Sequence, residues 1–160
     1  MTTIGVTGHQ QLPEGVRAHA EQAITDLLRD RQTPVIGLSS LAKGADQIFA
    51  DVLLRSGGTL HAVVPCWGYA STFDEAGRQS YLRLLEQARS VTTLAYAKPS
   101  EQAFDAAGQY IVEHCDLLVA IWDGQPARGH GGTADAVAHA RRLGREIAVT
   151  WPNGVTRAVS

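Results

Sequence analysis

The feature that most constrains the fold is a regular alternation of short apolar runs with longer amphipathic segments. Apolar runs that read as strands occupy residues 3–8, 34–39, 60–65, 90–96, 116–122 and 146–151. The segments between them carry apolar residues at helical spacing, at 13–31, 43–58, 74–88, 100–115 and 132–144. Nearly continuous apolar strands that are joined by helices are typical of a parallel sheet with both faces covered.

The predicted fold class is therefore a doubly wound, mostly parallel sheet in a Rossmann-like, three-layer α/β/α architecture. The chain has 160 residues and shows no linker, so we expect a single domain over residues 1–152 and a C-terminal tail over 153–160. Sheets of this kind bind ligands beyond the carboxyl ends of their strands, near the point where the strand order reverses.

Charge and composition narrow the function classes. The formal net charge is −2, whereas nucleic-acid binders usually carry a basic excess, so we expect no nucleic-acid partner. No apolar run of 18 residues and no basic-then-apolar leader is present, so we expect no membrane partner and a cytoplasmic protein. Cys66 and Cys115 form no CxxC motif, and no residue pair has metal-ligand spacing. We predict neither a metal nor a cofactor.

Small and hydroxyl residues collect after the predicted strands and lead into helices. Glycines let a backbone approach a phosphate closely, hydroxyl groups add donors, and a helix N-terminus offers unpaired amide groups. The loop before the last helix fits this pattern with Gly129, Gly131, Gly132 and Thr133. The loop before the second helix fits it with Ser39, Ser40 and Gly44. The alternative is that such loops only form tight turns. Neither loop is a Walker A motif or a strict GxGxxG motif.

Further candidate ligand-binding residues each have a structural alternative. Asp46 can contact a ligand hydroxyl or stabilise the start of a helix, and Asp123 can meet a ribose or a loop amide. His9 can donate a hydrogen bond to a phosphate. Tyr69 can pack against a base or against the sheet. Arg78 can reach a phosphate or face solvent. Three more candidates lie in the same strand-end segments: Gly8, Gly37 and Pro65.

Four stretches together resemble a known superfamily. They are GVTGHQQL, GLSSLAKGADQIFADVLL, AVVPCWGYASTF and CDLLVAIWDGQPARGHGGTADAVAHARRLGREIAV. They resemble the SLOG superfamily, named for the DNA-processing protein DprA (Smf) and the LOG phosphoribohydrolases, over about residues 3–150. The resemblance implies a Rossmann-like domain for a nucleotide or nucleotide-derived ligand. It also implies a pocket lined by Gly8, His9, Ser39, Ser40, Gly44, Asp46, Gly131, Gly132 and Thr133.

The resemblance implies no single activity, because members of the superfamily differ. LOG enzymes cleave the N-glycosidic bond of a nucleoside monophosphate and carry the motif PGGxGTxxE, whose Glu is catalytic. Here Gly132 and Thr133 match the GT, but Ala136 stands at the Glu position and the leading PGG is absent. Asp135 precedes that position by one residue, so on a helix its side chain is rotated by about 100° from the direction of the Glu side chain.

Three functions therefore remain open on the sequence. We favour a ligand-sensing module that binds a nucleotide without turning it over. The alternative is a LOG-like phosphoribohydrolase that releases a free base, with Asp135 and Asp123 as its catalytic candidates. The third is a structural subunit with a vestigial pocket. We also expect a homo-oligomer, most simply a dimer, because members of the superfamily commonly pair through helices.

Overall fold

A fully parallel sheet forms the centre of the protein. The computed structural model describes residues 1–31, 33–126 and 132–156. Within these ranges the strands are β1 (Thr2–Gly8), β2 (Val35–Ser39), β3 (Thr59–Val64), β4 (Ser90–Thr93), β5 (Leu117–Ile121) and β6 (Glu146–Thr150). Each strand pairs in parallel with its neighbours. The predicted doubly wound sheet is confirmed.

Five helices of the described chain connect these strands. They are α1 (Val16–Arg29), α2 (Ala45–Arg55), α3 (Glu75–Gln87), α4 (Glu101–Glu113) and α5 (Thr133–Arg142). A short 3-10 turn, Tyr69–Thr72, precedes α3. The predicted helices ran a few residues too long at their ends, where caps and turns replace helical backbone. The longest helix described, α1, has 14 residues. Within the described chain, no helix is long and apolar enough to cross a membrane.

The strand order creates a crevice next to β1. From one edge to the other the order is β4-β3-β2-β1-β5-β6. The chain therefore builds outwards from β1 to β4, returns through α4, and continues with β5 on the other side of β1. Gly8 at the end of β1 pairs with Ile121 at the end of β5. The carboxyl ends of β1 and β5 thus mark the reversal point at which open α/β sheets bind ligands.

The two faces of the sheet are covered by different helices. One apolar cluster joins the strands to α1, α2 and α3, through residues such as Ile24, Phe49 and Leu84. A second cluster joins them to α4 and α5, through residues such as Ile111 and Ala140. All five residues of β5 are buried, because this strand has helices on both sides. The three-layer architecture is confirmed.

Candidate functional site

A cleft of about 730 Å³ opens at the carboxyl edge of the sheet. Its walls come from the ends of β1, from the loops after β2 and β3, and from α4 and α5. Ligand pockets for small molecules commonly have volumes of about 300–1,000 Å³. The cleft is therefore large enough for a nucleotide, and it lies at the reversal of the strand order.

The cleft brings together eight of the residues that the sequence singled out. They come from β1, from the loops after β2 and β3, and from the first turns of α2 and α5. They are Gly8, Ser40, Asp46, Pro65, Tyr69, Gly132, Thr133 and Asp135. Of these, Thr133 is 5% exposed, while Asp135 is exposed on the first turn of α5. The outermost of these residues, Gly8 and Asp135, are 127 positions apart in the sequence.

Two other predicted ligand-binding residues, both in β2, hold β2, α2 and the loop between them together. A Cβ atom on Gly37 would lie 2.4 Å from Leu53 Cδ2, so this glycine lets α2 pack closely on β2. The Ser39 hydroxyl donates to the Asp46 carbonyl at 3.1 Å and accepts from the Leu41 amide at 3.0 Å. The two hydrogen bonds of Ser39 hold the loop in shape. Neither Gly37 nor Ser39 is among the residues that line the cleft.

Gly44 also has a packing role. Its φ is +85°, and a Cβ atom there would lie 2.4 Å from the Gln10 carbonyl oxygen and 2.6 Å from that of His9. The next amide, of Ala45, donates to the His9 carbonyl at 3.1 Å. A side chain at position 44 would therefore separate two loops that border the cleft. Gly44 thus allows the loops that follow β1 and β2 to pack closely together beside the cleft. Its contact with a ligand stays a prediction.

His9 and Asp123 pair with each other at the reversal point. His9 Nε2 lies 3.3 Å from Asp123 Oδ1, and the two side chains are 10% and 6% exposed. Asp123 Oδ1 also accepts from the Gln125 amide at 3.0 Å, and the His9 ring packs edge-on against Trp151. The pair links the end of β1 to the end of β5. Neither residue is among those that line the cleft, so their contact with a ligand is untested.

The remaining predicted residues lie elsewhere. Arg78 is exposed on α3 and does not line the cleft. Gly129 and Gly131 lie outside the described residues.

Two helix N-termini that border the cleft lack side-chain caps. Asp74 caps α3 by accepting from the Gly77 amide, and Ser100 caps α4 in the same way. The N-cap residues of α2 and α5 are Gly44 and Gly132, and neither makes a side-chain cap hydrogen bond. Amide groups at such an N-terminus attract anions, because the helix dipole places partial positive charge there. Helix α1 also starts without a cap, but its first turn does not line the cleft.

Asp46 is an unusual acid in this cleft. It lies in the first turn of α2, and its Oδ2 accepts from the Ala42 amide at 3.4 Å. Burial raises the pKa of Asp46 from 3.8 to about 7, because the surrounding protein disfavours the charged form, and the hydrogen bond from Ala42 opposes this only in part. Asp46 can therefore hold or release a proton near neutral pH. Strongly perturbed acids in clefts are enriched at functional sites.

Aromatic rings form the side of the cleft near β3 and α4. Tyr69, Phe73 and Phe104 all line it, with ring centroids 4.9 Å apart for Tyr69–Phe73 and 6.1 Å apart for Tyr69–Phe104. Tyr81 packs edge-on behind Tyr69. Burial raises the pKa of Tyr69, so its hydroxyl stays neutral. The cleft thus combines an apolar aromatic side with a polar side at the starts of α2 and α5.

Comparison with solved structures identifies the fold. DNA processing protein A (DprA) from Streptococcus pneumoniae matches 92% of this chain with a TM-score of 0.68 at 19% identity. DprA from Helicobacter pylori, whose structure is described in terms of single-stranded DNA binding, matches 92% with a TM-score of 0.66 at 15% identity. The molybdenum cofactor carrier protein from Chlamydomonas reinhardtii matches 92% with a TM-score of 0.58 at 17% identity. The chain therefore shares the Rossmann-like fold of these proteins.

The likeness extends to the fold alone, because the identities are low. The chain spans 50% of the S. pneumoniae DprA, 64% of the H. pylori DprA and 75% of the carrier protein. No family model and no curated protein matches the sequence. The Rossmann-like fold that the resemblance in the sequence motifs implied is nevertheless confirmed, because DprA proteins are among these structural neighbours.

Helices α4 and α5 supply residues of the cleft that the sequence analysis did not single out. Phe104, Asp105, Gly108 and Ile111 line the cleft, although α4 follows the edge strand β4. His139 and Arg142 of α5 also line it. Their signal in the sequence was weak, because small residues inside a helix, such as Ala107 and Gly108, are equally typical of helix packing.

Proposed function

We propose that the cleft binds a nucleotide or nucleotide-derived small molecule, with its phosphate at the N-terminus of α5. The observation that carries this proposal is the position of Gly132 and Thr133. They begin an uncapped helix and line a nucleotide-sized cleft at the reversal of the strand order. Amide groups and the helix dipole favour an anion there.

The charged side chains of the cleft are mixed, because the acids Glu101, Asp105 and Asp135 line it as well as Arg142 and His139. Arg142 and His139 lie in the last turns of α5, roughly 9 to 14 Å along the helix from Thr133, so they do not supply positive charge at its start. Asp46 carries a proton for part of the time at neutral pH, so it repels an anion less than an ordinary carboxylate would. Phosphate binding at the start of α5 therefore relies on the amide groups and dipole of the helix and not on side-chain or net charge, since the chain as a whole carries −2.

Binding without turnover is the form of this function that we favour. The residue at the Glu position of LOG enzymes is Ala136, which cannot act as an acid or base. One protein of this fold is described as a molybdenum cofactor carrier, so holding a small molecule without converting it is compatible with the fold. We therefore propose a ligand-sensing or ligand-carrying module, and we expect it to act as a homo-oligomer in the cytoplasm.

The test is equilibrium dialysis of the purified protein against AMP, IMP, ADP-ribose and NAD, with the contents analysed by HPLC. We expect retention of at least one of these compounds, chemically unchanged. A short single-stranded DNA forms a separate arm, because the H. pylori DprA structure is described as binding such DNA. Retention of DNA without retention of any nucleotide would contradict the proposal, and so would retention of nothing.

A matched pair of variants tests the position of the phosphate. Gly132 has a φ of +89°, so any side chain there introduces backbone strain. Gly132→Ala carries this strain without charge, while Gly132→Asp adds a carboxylate. At about 5 Å from a phosphate, with an effective dielectric constant of about 20, the added repulsion is about 3 kcal/mol, or roughly a hundredfold in affinity. Gly15→Asp controls for a carboxylate at the uncapped start of α1, which does not line the cleft.

We expect only Gly132→Asp to lose binding strongly. If Gly132→Ala loses as much affinity, then loop geometry rather than charge explains the effect. If Gly132→Asp binds like the unmodified protein, the phosphate does not lie at the start of α5.

A second candidate function is hydrolysis of the N-glycosidic bond of a nucleotide. The observation that favours it is Asp46, an acid with a pKa near neutrality in the same cleft as Asp135. Glycoside cleavage commonly uses one carboxyl group to protonate the leaving group and a second to activate water or stabilise the cationic centre. Asp123 remains the other catalytic candidate, although its Oδ1 already contacts His9 and the Gln125 amide.

HPLC distinguishes the two functions in the same samples. Hydrolysis would produce a free base and a ribose phosphate in the dialysed sample. In that case Asp135→Asn or Asp46→Asn should lower turnover with little effect on binding, because each removes the charge and the proton transfer but keeps the shape. Unchanged turnover in both variants, and in Asp123→Asn, would contradict a carboxylate mechanism.

A further inference from the structure

A glycine in the middle of α4 has no reason within the protein to be a glycine. Gly108 lies between Glu101 and Glu113, well inside the helix. Its φ is not in the left-handed region, and a Cβ atom placed on it would meet no atom within 4 Å. Glycine is a poor helix former, second only to proline. An alanine at this position would stabilise the helix and would fit without any rearrangement.

The other glycines of the described chain all have a visible cause. Some adopt a positive φ, as Gly57 does at +84° after α2. For the others, a Cβ atom would lie within 3 Å of a neighbouring atom, as at Gly5 against Ile111 and at Gly37 against Leu53. Gly108 belongs to neither group, so the space beside it is not used by the described protein.

That space is part of the cleft. Gly108 lines it together with Phe104, which lies one helical turn earlier on α4 and is 41% exposed. Ile111 of α4 and Ala136 of α5 also line it, and so do the polar residues Asp105 and Gln109 of α4. A side chain on Gly108 would project into this volume. The missing side chain therefore leaves an open surface on α4 that is flanked by an aromatic ring.

We propose that Gly108 makes room for a planar heterocyclic ring, which lies against α4 beside Phe104. The proposal rests on the proposed function, and it narrows the ligand class. The ligand carries a ring in addition to its phosphate, as a nucleotide does, and is not a sugar phosphate alone. Phe104 offers a face or edge for stacking, and the backbone of α4 at Gly108 offers a flat surface.

Two probes that differ only in the ring test this proposal. AMP and ribose 5-phosphate are titrated by calorimetry into the unmodified protein and into Gly108→Leu. A base stacked on an aromatic side chain contributes about tenfold or more to affinity. The unmodified protein should therefore bind AMP at least about tenfold more tightly than ribose 5-phosphate. Gly108→Leu should lose this preference and should bind ribose 5-phosphate as before.

Two further variants separate blocking of the cleft from damage to the helix. Gly108→Ala should raise Tm because alanine favours the helix, yet it should weaken AMP binding a few-fold because its methyl group enters the ring site. Gln102→Leu adds a leucine to α4 at an exposed position that does not line the cleft, and it should bind both probes normally.

Several results would overturn the ring site. They are an unmodified protein without a preference for AMP, a Gly108→Leu variant that still prefers AMP, and a Gly108→Leu variant that loses affinity for both probes equally. Failure of the proposed function looks different, because the unmodified protein would then bind neither probe nor any nucleotide in dialysis. That result would overturn both proposals together.

Discussion

Replacing Asp46 by Asn should change how the stability of the protein depends on pH. Burial raises the pKa of Asp46 from 3.8 to about 7 in the folded protein. The folded state thus holds this proton more tightly than the unfolded state does. The resulting contribution to stability is fully present below about pH 4 and is lost as the pH rises through about 7. An asparagine carries no such proton, and its carbonyl can still accept from the Ala42 amide.

The size of this change in stability follows from the pKa shift of Asp46. Each pH unit between the unfolded and folded pKa values corresponds to 1.36 kcal/mol, so the two units from pH 5 to pH 7 give at most about 2.7 kcal/mol. Asp46 is only partly buried, and water at the cleft screens its charge. We therefore expect the stability of Asp46→Asn, relative to the unmodified protein, to be higher at pH 8 than at pH 5 by about 1–2.5 kcal/mol.

The assay is urea unfolding at pH 5 and pH 8, followed by the fluorescence of the three tryptophans. Other titrating groups are common to both proteins, so they cancel in the difference between them. Asp51→Asn is the matched control on α2, where Asp51 pairs with Arg83 at 3.1 Å on the surface. This control should not gain stability at pH 8. If the difference between Asp46→Asn and the unmodified protein is the same at both pH values, the pKa of Asp46 is ordinary and the argument from burial is wrong.

Two stability predictions follow from packing and capping. Gly37→Ala should destabilise the protein by about 1–3 kcal/mol in urea unfolding, because its methyl group would overlap Phe49 and Leu53, which are fully buried. The same exchange at Gly108, where space is open, should instead stabilise it by about 0.5–1 kcal/mol; equal effects at the two sites would refute the packing argument. Ser100→Ala should cost about 0.5–2 kcal/mol through loss of the α4 cap, whereas Ser100→Gly should cost only a few tenths. A thermal melt that does not separate Ser100→Ala from Ser100→Gly would count against the cap.

The sequence by itself determined the elements and their class. A strand that is buried on both faces must be apolar at every position, and Leu117–Ile121 satisfies this without any knowledge of its neighbours. The amphipathic spacing of α1 likewise places Val16, Ala20, Ile24 and Leu28 on one buried face. These patterns are local, so the predicted alternation and the three-layer fold class were confirmed.

The roles of individual loop residues were only partly readable. Glycine and serine are used both where a ligand approaches and where two backbones pack, because each use requires a small side chain. Ser39 and Gly37 turned out to hold α2 against β2, while Ser40 and Gly132 line the cleft. The sequence marked all of them alike, and only the positions of their neighbours separate the two uses. Contact between any of these residues and a ligand stays a prediction.

The contribution of α4 to the cleft depends on the tertiary structure. The sequence fixes that α4 follows β4, but it carries no local sign of where the next strand will pair. In the fold, β4 is the edge strand and β5 pairs beyond β1, so α4 must cross back over β3, β2 and β1 on the opposite face of the sheet. This crossing places Phe104 and Gly108 in the same cleft as Gly8, which lies 96 and 100 residues earlier in the sequence. Strand order depends on the pairing of whole strands across the sheet, which is a non-local property, and no spacing within α4 could have shown it.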